Sequence, residues 1–184
     1  MKILAVSGSL RDQSFNTKLL RAAPELAPDG VEIELWNGLK AVPPFDEDDE
    51  GEQAPAGVAE LCDAIAGADA VLFATPEYNS SIPGVLKNAI DWASRPKGSA
   101  ALLNKTVAVV GASTGMFGAV WAQAELRKVL ASAGARVIDA ELPVPASHTR
   151  FDEEGRLVDD EIRERLAEIV KTLAGAAERV LAPA

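Results

Sequence analysis

Lys2-Ile3-Leu4-Ala5-Val6 runs without a break into Ser7-Gly8-Ser9-Leu10-Arg11-Asp12-Gln13-Ser14-Phe15-Asn16. The first stretch is apolar and of strand length, as expected for a strand buried on both faces. The second collects hydroxyls, amides, one glycine and one arginine, and a helical pattern over 17–27 follows it. A strand, a polar loop and a helix start in that order gather backbone N–H groups at the positive end of a helix. Such an arrangement holds an anion, for example a phosphate.

Outward from this unit, strand and helix patterns alternate. Val31–Leu35 alternates apolar and acidic residues, as an outer strand does. Ala70–Ala74 and Thr106–Gly111 are continuous apolar runs, and Arg136–Ala140 is a weaker fifth strand. Helical patterns cover 56–66, 83–94, 119–133 and 159–181, the last with Ile162, Leu166, Ile169, Val170, Leu173 and Ala177 on one stripe. Gly67 and Gly134 suit helix ends, and Pro83 suits a helix start. Alternation of this kind implies right-handed crossovers and a parallel sheet with helices on both faces. Residues 36–55 stand apart: Pro43-Pro44 precedes Asp46-Glu47-Asp48-Asp49-Glu50, and repulsion among these charges predicts a mobile surface loop. With no repeat and no linker, one domain over 1–184 is expected.

Bulk composition narrows the function. The chain has 184 residues and a formal net charge of −10, which argues against a nucleic-acid partner. A single phosphate is still compatible, because one arginine and a ring of N–H groups suffice to hold it. One cysteine, Cys62, excludes an internal disulfide and fits a reducing cytoplasm. No apolar run approaches the roughly 18 residues of a membrane span. No Cys/His cluster has metal-ligand spacing, so no metal is expected.

In an open parallel sheet, ligands bind beyond the carboxyl ends of the strands. Three loops leave such ends: Ser7–Asn16, Thr75–Gly84 and Ala112–Gly118. If strands 1, 3 and 4 are neighbours, the loops share one rim. The first offers Ser9, Arg11, Ser14 and Asn16 to a phosphate, although Ser14 and Asn16 also suit helix caps. It lacks the lysine of a Gly-x-x-x-x-Gly-Lys loop and has only Gly8 of a Gly-x-Gly-x-x-Gly loop. A terminal monophosphate fits it better than a bridged pyrophosphate. The second loop, with Pro76, Tyr78 and Asn79, suits the edge of a flat heteroaromatic ring, and Glu77 faces either that ring or solvent. In the third, Gly115 and Gly118 permit close approach. The one histidine, His148, reads as a loop residue rather than a catalyst. Binding groups without an acid–base or nucleophile set point to a cofactor that does the chemistry.

Two motifs carry a family resemblance: Gly8-Ser9-Leu10-Arg11-x-x-Ser14-x-Asn16, and Thr75-Pro76-Glu77-Tyr78-Asn79-x-Ser81-x-Pro83-Gly84-x-Leu86-Lys87-Asn88-Ala89-Ile90-Asp91-Trp92. Together they resemble the NADPH-dependent FMN reductase family, which includes chromate-, quinone- and azo-dye-reducing flavoproteins. The resemblance implies a flavodoxin-like three-layer α/β sandwich whose five-stranded parallel sheet has the order 2-1-3-4-5. It places the FMN phosphate on Ser9, Arg11, Ser14, Phe15 and Asn16. The flavin ring then lies against Pro76, Glu77, Tyr78 and Asn79, with Ser113, Thr114 and Gly115 near its other side. It further implies NADPH or NADH as hydride donor, ping-pong transfer to a small acceptor, and a homodimer or homotetramer. The acceptor would be a quinone, an azo compound, a metal oxyanion or free flavin. A flavodoxin-type electron carrier with a protein partner is the alternative; the acidic surface suits docking, while Arg11 departs from a Thr-rich phosphate loop. One position departs from the family: Trp121 stands where many members carry arginine.

Overall fold

The computed structural model describes residues 1–51 and 54–181. Strands β1 (Lys2–Ser7), β2 (Glu32–Trp36), β3 (Ala70–Thr75), β4 (Thr106–Ala112), β5 (Arg136–Val137) and β6 (Pro143–Val144) form one parallel sheet. Its order is β2-β1-β3-β4-β5, with β6 also on β4. Helices α1 (Phe15–Ala22), α2 (Ala56–Ala66), α3 (Gly84–Ala93), α4 (Val120–Ser132) and α5 (Asp160–Leu181) cover it. This is the flavodoxin-like topology.

The strand periodicity explains the layers. Ile3 and Ala5 of β1 face one core with Leu19 and Leu20 of α1 and Leu166, Val170 and Leu173 of α5. Leu4 and Val6 face the other core with Leu61 and Ile65 of α2, Leu86 and Ile90 of α3, and Leu126 and Leu130 of α4. Side chains alternate between faces every residue, so a strand covered on both sides must be apolar throughout. The outer strand β2 keeps Glu32 and Glu34 exposed, and Glu34 pairs with Lys2 at 2.7 Å.

Three expectations are corrected. First, the fifth strand is not continuous over Arg136–Ala140. It pairs with β4 for two residues, leaves the sheet, and returns as β6 at Gly111 and Ala112. Side chains of α4 capture the intervening backbone: Arg127 donates to the Ala140 carbonyl at 2.7 Å, and Gln123 Oε1 accepts from Leu142 N at 3.1 Å. Second, α1 begins at Phe15, not Thr17, because Ser14 is extended and its hydroxyl accepts from Thr17 N. Third, the described part of 36–55 is fastened down. Asn88 Nδ2 and Trp92 Nε1 both donate to the Pro43 carbonyl, at 2.7 and 2.9 Å, and Asn88 Oδ1 accepts from Phe45 N at 2.7 Å. Phe45 packs edge-on against Trp92 at 4.8 Å, and Arg95 pairs with Glu50 at 3.1 Å. The acidic side chains Asp46–Asp49 do face solvent, but apolar contacts and hydrogen bonds outweigh their repulsion. Residues 52 and 53 of this segment lie outside the described residues.

Candidate flavin site

β1, β3 and β4 are adjacent, so the loops that follow them meet at one end of the sheet. Between these loops lies a cleft of about 160 Å³. Ten of the twelve residues expected at the site line it: Ser9, Arg11, Ser14, Phe15, Asn16, Pro76, Glu77, Tyr78, Ser113 and Thr114. Asn79 and Gly115 do not. Ala112 also lines the cleft, a position that composition could not single out.

The first loop is folded around its own hydroxyls. Ser7 Oγ accepts from Thr17 Oγ1 at 2.9 Å, Ser9 Oγ accepts from Arg11 N at 3.4 Å, and Ser14 caps α1. Gly8 sits at a close approach. Its N–H donates to the Ala74 carbonyl at 2.8 Å, and a Cβ there would stand 2.7 Å from Leu86. The first-turn N–H groups of α1 have no acceptor within the helix, so the positive end of α1 opens onto the cleft. Arg11 is exposed and stands 5.5 Å over the Phe15 ring; among the described residues it has no carboxylate partner. Lys18 stands 5.4 Å from the same ring, a second cation that no motif singles out.

Asn16 lies in the cleft wall, yet its side chain is spent on the protein. It is buried, donates to the Ala112 carbonyl and accepts from Ala112 N, both at 2.9 Å. It therefore splices the first loop to the end of β4.

The second loop is a tight hairpin. Tyr78 and Ser81 exchange backbone hydrogen bonds at 2.9 and 3.1 Å around Asn79 and Ser80, both with positive φ. Asn tolerates that backbone well, which suits Asn79 to the tip. Glu77 turns toward α4, and its Oε2 accepts from Ala122 N at 3.0 Å. Ser81 Oγ donates to Glu125 at 2.5 Å, so two bonds tie this loop to α4. Pro76 is buried, while Tyr78 is half exposed at the mouth.

The third loop is backed by the segment after β5. Ser113 N donates to Val144 O, Ala146 N to Gly115 O and Ser147 N to Ser113 O, at 3.0–3.1 Å. At its far end Gly118 and Ala119 are both left-handed. A Cβ on Gly118 would lie 2.6 Å from Val144 N, so only glycine fits. Buried Gln123 donates to the Gly118 carbonyl at 3.1 Å and holds this corner.

A separate groove of about 280 Å³ runs between α2 and the end of α3, past Cys62, Trp92 and Arg95. Its walls are mainly apolar, and the segment that follows β2 contributes Glu50, Gly51 and Ala54 to them. Burial pushes the Cys62 thiol above its ordinary pKa, away from reactivity. The smaller cleft has the convergent donors, and it is the one that can take an anion and a ring.

A flavodoxin-like sheet with a hydroxyl-and-arginine anion loop at its switch point defines a protein built to hold a phosphorylated flat ligand. Comparison with known proteins makes this specific: residues 1–149 match the NADPH-dependent FMN reductase family, and the chain belongs to it. An NAD(P)H-dependent FMN reductase of Pseudomonas aeruginosa is 41% identical over 174 residues, covering 94% of this chain and 93% of the relative. A 2-hydroxy-1,4-benzoquinone reductase of a Burkholderia species is 37% identical, covering 90% of each. Among solved structures, the flavoenzyme NAD(P)H:(acceptor) oxidoreductase FerB of Paracoccus denitrificans superposes with a TM-score of 0.86 at 35% identity, covering 97% of each chain. These relatives are oxidoreductases, and they do not favour the electron-carrier alternative.

Proposed function

We propose that this chain is an FMN-dependent NAD(P)H oxidoreductase that passes electrons to small acceptors, quinones foremost. One observation carries the reading: the three rim loops enclose one cleft, lined by Ser9, Arg11 and Ser14 from the first, by Pro76 and Tyr78 from the second, and by Ser113 and Thr114 from the third. The residues present fit FMN. At about 160 Å³ the cleft is smaller than the roughly 300 Å³ of a full ligand pocket. It accommodates the phosphate and its polyol chain and leaves the ring at the open rim.

In this reading Ser9, Ser14, the guanidinium of Arg11 and the backbone N–H groups of Phe15 and Asn16 hold the phosphate. The Asn16 side chain acts indirectly, by fixing Ala112. Pro76, Tyr78 and Thr114 flank the ring, and Ser113 supplies a donor to its polar edge. Glu77 positions the second loop through α4. Asn79 and Gly115 shape their turns and contact no ligand. Bound FMN would supply the redox chemistry, hydride uptake from NAD(P)H and two-electron reduction of the acceptor. Donor and acceptor use the same open mouth in turn, which gives ping-pong kinetics.

The family likeness further supports a homodimer or homotetramer, to be measured by sedimentation. The single cysteine, which precludes an internal disulfide, supports a cytoplasmic setting. Among the described residues, no helix is long and apolar enough to cross a membrane. The direct test is reconstitution with FMN followed by NAD(P)H oxidation with a quinone. Bound yellow flavin and parallel double-reciprocal plots are expected. Absence of flavin binding would overturn the reading.

A further inference from the structure

We propose that Thr17 is a positioning residue for the phosphate of the bound flavin: its hydroxyl, acting through Ser7, fixes the loop whose donors clamp that phosphate. The proposal rests on the cleft being the flavin site, and it names what holds the clamp in shape.

Neither residue lines the cleft. Ser9, Arg11, Ser14, Phe15 and Asn16 do, and Ser7 and Thr17 stand at the two ends of that stretch. Ser7 is the last residue of β1, 8% exposed and in register with Ala74 of β3. Thr17 is half-buried in the first turn of α1. Their hydroxyls meet at 2.9 Å across ten positions of sequence. A threonine in a helix usually turns its hydroxyl to a carbonyl three or four residues back. Here Gln13 lies outside the helix, and the Ser14 carbonyl already accepts from Lys18 N at 2.9 Å. A side chain at this place in a first turn can also reach back to the N–H of the capping residue. Ser14 N instead donates to the Arg11 carbonyl at 3.1 Å. The Thr17 hydroxyl is thus left to close the loop onto the strand.

Ser7 is the hub of that loop. Its Oγ also accepts from Ser9 N, and Ser9 Oγ in turn accepts from Arg11 N, both at 3.4 Å. These two bonds are long, so the Ser9 and Arg11 N–H groups are held in place yet can pass to a stronger acceptor such as a phosphate oxygen. The frame around them is held by short bonds: Thr17 to Ser7, and Gly8 N to the Ala74 carbonyl at 2.8 Å. Short bonds at the ends and long ones inside give a loop that is preshaped without spending its donors. Ordering the loop beforehand spares phosphate binding that entropy. The ring lies against the other two loops, so the effect falls on the phosphate.

The test compares FMN with riboflavin, which lacks the phosphate, by fluorescence titration of the full chain stripped of flavin. The parent is expected to bind FMN more tightly than riboflavin. Thr17→Val keeps the side-chain shape and loses the hydroxyl. It is expected to lower the FMN-to-riboflavin affinity ratio about fivefold, the scale of one net hydrogen bond, and to leave riboflavin affinity unchanged. Thr17→Ser is expected to keep the ratio. Ser7→Ala should lower it as well, and carries the test where the valine variant does not fold. The double variant should lower it no further than Ser7→Ala alone, because residues acting in one link are not additive. An unmoved ratio in the single variants, or an equal loss with both flavins, would overturn the proposal. So would a double variant in which the two losses multiply. A parent protein that binds neither flavin, or binds both equally, would instead overturn the reading of the cleft as a site for a phosphorylated flavin.

Discussion

Asn16 and Ala112 are joined by two reciprocal hydrogen bonds of 2.9 Å, one from the Asn16 amide to the Ala112 carbonyl and one from Ala112 N to Asn16 Oδ1. Both residues are 3% exposed. This pair closes the cleft by fastening the start of α1 to the end of β4. Asn16→Ala leaves a buried donor and a buried acceptor unsatisfied, each costing about 1–3 kcal/mol, so a loss of about 2–6 kcal/mol is expected. Urea unfolding of the protein without flavin measures it. Asn16→Asp sets a buried carboxylate oxygen against the Ala112 carbonyl in place of the donor, and should recover none of this loss at neutral pH.

Arg11 contributes the one formal charge of the first loop's clamp, and its guanidinium has no carboxylate to release among the described residues. Arg11→Ala is expected to weaken FMN binding by about 1.5–3 kcal/mol, the range for a hydrogen bond to a charged group. Flavin fluorescence titration reads this directly. Lys18→Ala, at a cation that does not line the cleft, should weaken binding less. A dissociation constant unchanged in Arg11→Ala would place the phosphate elsewhere.

Glu77 lines the cleft and also holds α4. Its carboxylate accepts from Ala122 N in the first turn, where negative charge is favourable. Glu77→Ala should cost about 0.5–2 kcal/mol, as loss of a helix cap does, and lower the thermal midpoint. Glu77→Gln retains an acceptor and should recover most of the loss. Because Tyr78 follows directly, the alanine variant should also raise KM for the acceptor.

Asp159 supplies a pH-dependent contribution away from the cleft. Its carboxylate accepts from Ile162 N at 3.0 Å at the start of α5 and pairs with Arg150 at 2.5 Å. The backbone bond, followed by Arg150, holds its pKa below the ordinary carboxylate value. A depressed folded-state pKa means the stabilisation is fully present above the unfolded value, near 3.9, and is lost as pH falls through the folded value. The stability difference between the parent and Asp159→Asn should therefore be constant near neutrality and shrink below about pH 4. A difference that grows on acidification would refute this.

The layered fold was legible because its cause is local. Continuous apolar runs such as Ala70–Thr75 have no other satisfactory place than a strand covered on both faces. Hydroxyls and a glycine after β1 announce an anion loop for an equally local reason. Less legible was the role of Lys87–Trp92, seen as a family motif. In the structure Asn88 and Trp92 clamp Pro43 and Phe45, which turns a charged segment predicted to be mobile into a fastened one.

By itself, then, the sequence determined the alternation of strands and helices, the three polar loops and the chemistry those loops offer to a phosphorylated ring. Period and composition act within a few residues, and they survive in a linear reading. Only the tertiary structure decided what each polar group is spent on. Asn16 bonds Ala112, ninety-six positions away. Glu77, in the cleft wall, accepts from Ala122 N of α4, and Gln123 accepts from Leu142 N between β5 and β6. Those choices follow from the requirement that every buried donor and acceptor find a partner. The partner becomes available only when the chain has folded.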